Sequence, residues 1–155
     1  MAAMTSWIRR LGRSEDGAEL IEMAIVTPLF LLMVAGIINF GFLFRTWEAT
    51  TNAAREGARV GVLAGFGCAD DGPAEARVAA YLTTSGIAAP TAAEVVVHPV
   101  TIPFAGGNLS ACQVDVTVPQ GMGALGIAMG LFGGSMNTIN LHASSVMRTE
   151  VQAGP

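Results

Sequence analysis

One continuous run of apolar residues dominates the pattern of hydrophobic and polar positions along this chain. Met23 to Phe44 contains only two polar side chains, Thr27 and Asn39, and one helix breaker, Pro28. A helix of this length measures about 33 Å, which is enough to cross a hydrocarbon core of about 30 Å. The core helix of a soluble protein is rarely so long and so uniformly apolar. The pattern therefore predicts a single transmembrane helix.

The helical pattern continues beyond the apolar run, from Arg45 to Ala64. Polar residues recur along one stripe of this segment, and small residues recur on another face. Ala53, Gly57 and Gly61 belong to the small face, and their spacing of four residues permits close approach of another backbone. Two surfaces could make that approach. Packing against the chain's own sheet is the simpler expectation, and packing against a neighbouring subunit is the alternative.

A second helix and three strands are predicted in the rest of the chain. The helix starts at Pro73 and stops at Gly86. The predicted strands are residues 94–102, 111–118 and 137–148. Pro99 marks the first strand as an edge or bulged strand. Alternation of apolar and polar residues places one set of side chains of the other two strands on the buried face. This set is Cys112, Val114, Val116, Val118, Ile139, Leu141, Ala143 and Met147.

These elements predict an α+β fold. A long N-terminal transmembrane helix continues into a small head, which contains a second helix and a three-stranded antiparallel sheet. Between the last two strands, residues 121–134 are apolar and rich in glycine, but too few to span a membrane. This segment could cover the core of the head as a helical lid, lie on the membrane surface or touch a neighbouring subunit. The lid is the simplest of the three.

Charge and candidate chemistry exclude several classes of function. The chain has eight basic residues, all arginine, against twelve acidic ones, and its net charge of −4 gives no basic face for nucleic acid. No nucleophile, base and orienting group occur with a recognisable spacing, so we predict neither an enzyme nor a cofactor. His98 and His142 could join Cys68 and Cys112 in a zinc site. Neither a Cys-x-x-Cys nor a His-x-x-x-His pair supports that site.

The residues at the start of the apolar run resemble the processing site of type IV prepilins. A short arginine-containing stretch precedes Gly17, and Glu22 lies five positions after it. The resemblance implies that a membrane peptidase cuts after Gly17, so that residues 1–17 are a leader and the mature chain begins at Ala18. It also implies that Glu22 pairs with the N-terminal ammonium of a neighbouring subunit. Taken alone, Glu22 could equally be a carboxylate that flanks a membrane helix.

A wider set of motifs resembles the TadE-like minor pilins (pseudopilins) of tight-adherence (Flp, type IVb) pili. The motifs are Glu22-Met23-Ala24, Thr27-Pro28, Ala53 to Arg59, and Val146 to Glu150. The resemblance covers residues 17–65 and, partially, residues 138–150. It implies a pilin-like fold and a structural role in pilus assembly, with residues 18–44 in the inner membrane and residues 45–155 as a periplasmic head. The implied partners are the prepilin peptidase, other pilins and the assembly platform. The alternative is a signal-anchored accessory protein that binds a partner and never enters a filament.

Pro28 predicts a kink in the transmembrane helix. Proline lacks an amide hydrogen and crowds the carbonyl of the residue four positions earlier, here Ala24. The kink could be a harmless feature of a membrane helix. It could also allow the helix to bend as it moves from the bilayer into a filament.

The two cysteines bear on the orientation of the chain. Three arginines precede the apolar run and three follow it closely, so the positive-inside rule gives no preference. Cys68 and Cys112 are a candidate disulfide if the head is exported, because cytosolic cysteines usually stay reduced. The alternative is a pair of buried free thiols. The cysteine pair is thus the main reason in the sequence for placing the head outside the cytoplasm.

Overall fold

The structure, a computed structural model, describes residues 15–63, 68, 71–87, 94–131, 133–134 and 138–149. Its elements in chain order are α1 (Glu15–Gly61), α2 (Asp71–Thr84), β1 (Glu94–Phe104), β2 (Gly107–Gly121), α3 (Gly123–Leu131) and β3 (Thr138–Arg148). The predicted α+β layout of a long helix, a second helix and a three-stranded antiparallel sheet is confirmed. Most of the predicted leader, Ala64 and Asn137 lie outside the described residues.

The helix α1 is 47 residues long, or about 70 Å, and its two halves have opposite surfaces. In the N-terminal half, every large apolar side chain from Leu20 to Leu31 is exposed. A contiguous apolar surface of this size marks a membrane or protein interaction surface. This half is long and apolar enough to cross a membrane. The chain therefore has a single-pass N-terminal anchor followed by a C-terminal head.

The boundaries of α2 follow from two local signals. Pro73 lies in the first turn, where a missing amide hydrogen costs no helical hydrogen bond. At the other end, Gly86 adopts a φ of +70°, the left-handed conformation that glycine tolerates best. The amide of Gly86 donates to Thr83, and the amide of Ile87 donates to Leu82. These two bonds form a Schellman motif, which ends the helix at the predicted stop.

The sheet has the order β1-β2-β3, and both strand pairs are antiparallel. β1 is an edge strand, as Pro99 predicted, because an edge strand tolerates a residue without an amide hydrogen. Along β2, Cys112, Val114, Val116 and Val118 are buried, and the residues between them are less buried. The predicted alternation of this strand is therefore confirmed.

The core lies between the inner face of the sheet and the two helices α1 and α2. It consists of Ala53, Ala54, Ala58, Val78, Leu82, Val114, Val116, Val118 and Ala143. The prediction for β3 is correct in the choice of face but overestimates burial. Ala143 is buried, whereas Ile139, Leu141 and Met147 are half-buried. The difference arises because β3 is the other edge strand, so its outer side has no neighbouring strand.

Candidate functional site

The predicted processing site lies in the first two turns of α1. Gly17, Ala18 and Glu22 are all helical, and Glu22 is exposed. The first amides of a helix have no intrahelical partner, so the peptide bond after Gly17 lies where a helix unwinds most easily. A helix that began at Ala18 would carry Glu19 and Glu22 near its start, where carboxylates interact favourably with the helix dipole. The geometry is compatible with cleavage after Gly17, which stays a prediction.

The apolar half of α1 contains two residues that disturb a regular helix. Pro28 lies inside the helix, which continues through it. Because proline has no amide hydrogen, the carbonyl of Ala24 does not receive the helical hydrogen bond from residue 28. Further along, the side-chain amide of Asn39 donates to the carbonyl of Ala35 at 2.8 Å. That local bond partly satisfies the one amide side chain in the span. The kink at Pro28 remains a prediction.

The small face of α1 packs against the chain's own head. A Cβ atom placed on Gly57 would lie 2.6 Å from Cγ2 of Val78 on α2 and 3.3 Å from Cγ1 of Val114 on β2. A Cβ atom on Gly61 would lie 3.0 Å from Sγ of Cys112. Ala53 is fully buried in the same region. These contacts are the intramolecular packing that was the simpler of the two expectations for this face.

A second row of docking residues escaped the sequence analysis. Thr46, Thr50, Ala54 and Ala58 follow one another at intervals of four, and all are buried. The hydroxyl of Thr50 donates to the carbonyl of Thr46, and the hydroxyl of Thr46 is shared between the carbonyl of Phe42 and Oε1 of Gln120. These bonds satisfy hydroxyl groups that would be costly to bury alone. The sequence does contain a signal for this second row, because small or β-branched residues recur in it at every fourth position. It runs beside the predicted row of Ala53, Gly57 and Gly61.

The two rows together form the docking face of α1, the side of the helix that packs against the head. Glu56 links α1 to α2 at the edge of this docking face. Its Oε2 accepts hydrogen bonds from Nη2 of Arg77 at 3.0 Å and from Nη2 of Arg59 at 3.2 Å. These bonds, with Arg77 first and Arg59 second, hold the pKa of Glu56 below its ordinary value of 4.5. Sequence reasoning had no means of finding this pair, because Glu56 and Arg77 lie 21 residues apart.

Cys68 and Cys112 are joined by a disulfide, with their Cα atoms 5.5 Å apart. Cys112 lies beside Gly61, so the bond fastens the chain just beyond the end of α1 to the middle strand. Because both sulfur atoms are engaged, they are not free to act as thiolate ligands in the zinc site considered from the sequence. Within the described part of the chain, no three His, Cys, Asp or Glu side chains are placed to hold a metal ion.

The two histidines lie in the sheet, His98 on β1 and His142 on β3. Nδ1 of His98 is 3.8 Å from a carboxylate oxygen of Asp115, and a ring nitrogen of His142 is 3.1 Å from the hydroxyl of Thr117. Both pairs connect neighbouring strands. Cross-strand pairs of this kind stabilise a sheet.

A comparison of the sequence with protein-family models relates part of the chain to a known family. Residues 17–59 match the model described as TadE-like protein. Over these residues the chain is similar to the TadE-like family. The match begins at Gly17 and ends within α1, so it covers the anchor and most of the docking face. The match supports a TadE-like protein of the Tad (Flp) pilus system, and it confirms the resemblance inferred from the motifs. Neither the curated proteins nor the solved structures give a significant match.

Proposed function

We propose that this TadE-like chain is a minor pilin, or pseudopilin, that acts structurally in assembling a Tad (Flp) pilus. The observation that carries the proposal is the start of the family match at Gly17, the residue after which a prepilin peptidase would cut. From Met23 onward, the N-terminal half of α1 exposes a row of large apolar side chains that contains no charge. Such a surface suits two environments in succession, a lipid bilayer and the packed helices of a filament.

The proposed orientation places the arginine-containing leader in the cytoplasm and the head in the periplasm. The disulfide between Cys68 and Cys112 supports this orientation, because disulfides persist in oxidising compartments. The partners in this arrangement are the prepilin peptidase at the membrane, other pilins along α1 and the assembly platform. The inner membrane holds the protein until it is extracted.

Glu22 has a specific role in this proposal. It is the last charged residue before a stretch of 22 uncharged residues that ends at Phe44. A charged side chain within the bilayer costs up to about 2.5–3.5 kcal/mol, and an opposite charge nearby offsets much of that cost. The ammonium group of Ala18, created by cleavage in a neighbouring subunit, is the partner that we propose.

The second candidate function is a signal-anchored accessory protein whose head binds a partner in the periplasm. The close packing of the head against α1 favours neither candidate, because both need a folded head on an anchor. The two candidates differ in the use of Gly17 and Glu22. Only a pilin requires a new N-terminus at Ala18 and a carboxylate that pairs with it.

The experiment is mass spectrometry of the mature N-terminus, in cells with an active prepilin peptidase. The wild-type protein should begin at Ala18 and have lost three arginines and two acidic residues, which changes its net charge from −4 to −5. Gly17→Leu should remain uncut but still insert in the membrane. Gly36→Leu on the same helix is the matched control and should be cut normally, since a Cβ atom placed on Gly36 would meet no other part of the protein within 4 Å.

A second variant separates processing from assembly. Glu22→Ala should be cleaved after Gly17 yet incorporate poorly into pili, because the neighbour's ammonium group loses its partner. Glu19→Ala removes another carboxylate from the same turns of the helix and should assemble normally. Wild-type pilus yield with Glu22→Ala would favour the accessory protein. A wild-type protein that keeps its leader would remove the pilin proposal altogether.

A further inference from the structure

The segment between β2 and β3 lies at the membrane end of the head. β2 runs antiparallel to α1: Cys112 is beside Gly61, and Oε1 of Gln120 accepts a hydrogen bond from the hydroxyl of Thr46 at 3.1 Å. The chain therefore returns towards the anchor as it leaves β2. It continues in that direction, because a Cβ atom on Gly123 would lie 3.1 Å from Oδ1 of Asn39. From Thr46 to Asn39 is about 10 Å along the helix axis.

This contact brings the start of α3 to the depth of the hydrocarbon boundary. The apolar run begins at Met23, directly after Glu22, and Asn39 lies about 24 Å further along the axis. A hydrocarbon core of about 30 Å that begins at Met23 ends near Phe42. Asn39 and the first residue of α3 therefore lie slightly inside the outer boundary of the core.

The composition of α3 matches this depth. The helix has no polar side chain, and between Asp115 and Arg148 the sequence has no Asp, Glu, Lys or Arg. A helix that is apolar on all sides is normally buried. Here Ile127 is 73% exposed, while Met122, just before the helix, is buried. At nine residues, or about 13 Å, α3 is too short to cross the bilayer.

A second apolar surface lies at the same level of the anchor. Phe40, Leu43, Phe44 and Trp47 of α1 form an open groove of about 260 Å³ together with Leu141 of β3. Tryptophan is enriched at the boundary between hydrocarbon and headgroups, which is the level that the helix length assigns to Trp47. The groove makes the apolar surface of the anchor continuous with the sheet, and none of its five lining residues carries a charge.

From these observations we propose that α3 is a second membrane contact, which lies in the interface of the leaflet from which α1 emerges. The occupant of its exposed apolar face is lipid. The anchor and α3 together hold the head at a fixed height and rotation above the bilayer. The proposal rests on the single-pass anchor and is independent of cleavage after Gly17 and of entry into a filament. It goes beyond the structural role in pilus assembly proposed above.

Depth-dependent fluorescence quenching tests the proposal on the full chain. Ile127→Cys is labelled with a small polarity-sensitive fluorophore and reconstituted into phosphatidylcholine vesicles at high dilution. The native cysteines are bonded to each other and do not react. Val146→Cys is the matched control. Val146 is also an exposed aliphatic residue, 45% exposed, but it lies on β3 next to the partner of Cys112, at the far end of the head.

We expect the label at position 127 to emit at shorter wavelength than the label at position 146. Lipids with a nitroxide close to the headgroup should quench most of its emission, because an interfacial helix sits about 5–10 Å into the boundary. The label at position 146 should be unaffected. Equal emission from both labels, with no quenching by lipid, would overturn the proposal. So would a blue shift at position 127 that appears only at high protein density, since the occupant would then be a second copy of the chain.

Discussion

Replacing Gly57 with alanine tests the close packing of α1 against the head. Glycine to alanine normally stabilises a helix by about 1 kcal/mol, because glycine loses more backbone entropy on folding. At this position the new Cβ atom would lie 2.6 Å from Cγ2 of Val78 and 3.3 Å from Cγ1 of Val114. The two effects have opposite signs. The stability of the variant therefore shows which of them is larger.

We expect the steric cost to prevail. Overpacking a core costs about 1–3 kcal/mol, and the upper end applies where the neighbours cannot move. Val78 is fully buried and β-branched, so its side chain has one strongly preferred rotamer on α2. Subtracting the gain in helix propensity leaves a net destabilisation of about 2 kcal/mol. For a head of this size, that corresponds to a melting temperature lower by about 8–16 °C.

The assay is thermal unfolding of the full chain in detergent, followed by circular dichroism with the disulfide intact. Gly41→Ala is the control on the same helix, and it should leave the transition of the head unchanged because a Cβ atom placed on Gly41 would meet no part of the head within 4 Å. A double variant isolates the contact itself. In a Val78→Ala background the steric cost should largely disappear, so Gly57→Ala should become neutral or stabilising there. A single Gly57→Ala variant as stable as the wild type would refute the reasoning.

Two further predictions concern the other links between α1 and the head. Replacing Cys68 and Cys112 with alanine should lower the free energy of unfolding by up to about 4 kcal/mol, because the disulfide closes a loop with a sequence separation of 44. Urea titrations measure this loss, and unchanged stability of the double variant would contradict the prediction. The pKa of Glu56 is lower in the folded head than in the unfolded chain, so its contribution is fully present above about pH 4.5 and is lost as the pH falls through the folded value. Thermal unfolding across this range should show a smaller acid-induced loss for Glu56→Gln than for the wild type, and identical profiles would exclude a role for the pair.

Local patterns predicted most of the fold. The unbroken apolar run specified the anchor, the alternation around Val114 and Val116 specified the middle strand, and Gly86 specified the end of α2. Each of these signals is contained within a few neighbouring residues. Three of the four family motifs lie within α1, which also contains the family match, so they too are local signals.

The width of the docking face could not be predicted in the same way. A row of residues four apart describes a helix that packs against one partner. α1 packs against α2 and the sheet together, so its buried face includes Thr50, Ala54 and Ala58 as well as Ala53 and Gly57. Long-range pairs such as Glu56 with Arg77 also depend on how α2 is placed. The position of α3 depends on the direction of β2 relative to α1, which no local pattern records.

The distribution of links along α1 determines where the molecule can bend. The bond between Thr46 and Gln120 fixes β2 near the membrane, and the disulfide of Cys112 fixes its other end beyond Gly61. With both ends held and the small-residue face packed between them, the head and the C-terminal half of α1 should tilt as one rigid unit. On the proposed path from bilayer to filament, a change of curvature would then be confined to the exposed apolar half. There, Pro28 has already removed one of the hydrogen bonds that resist bending.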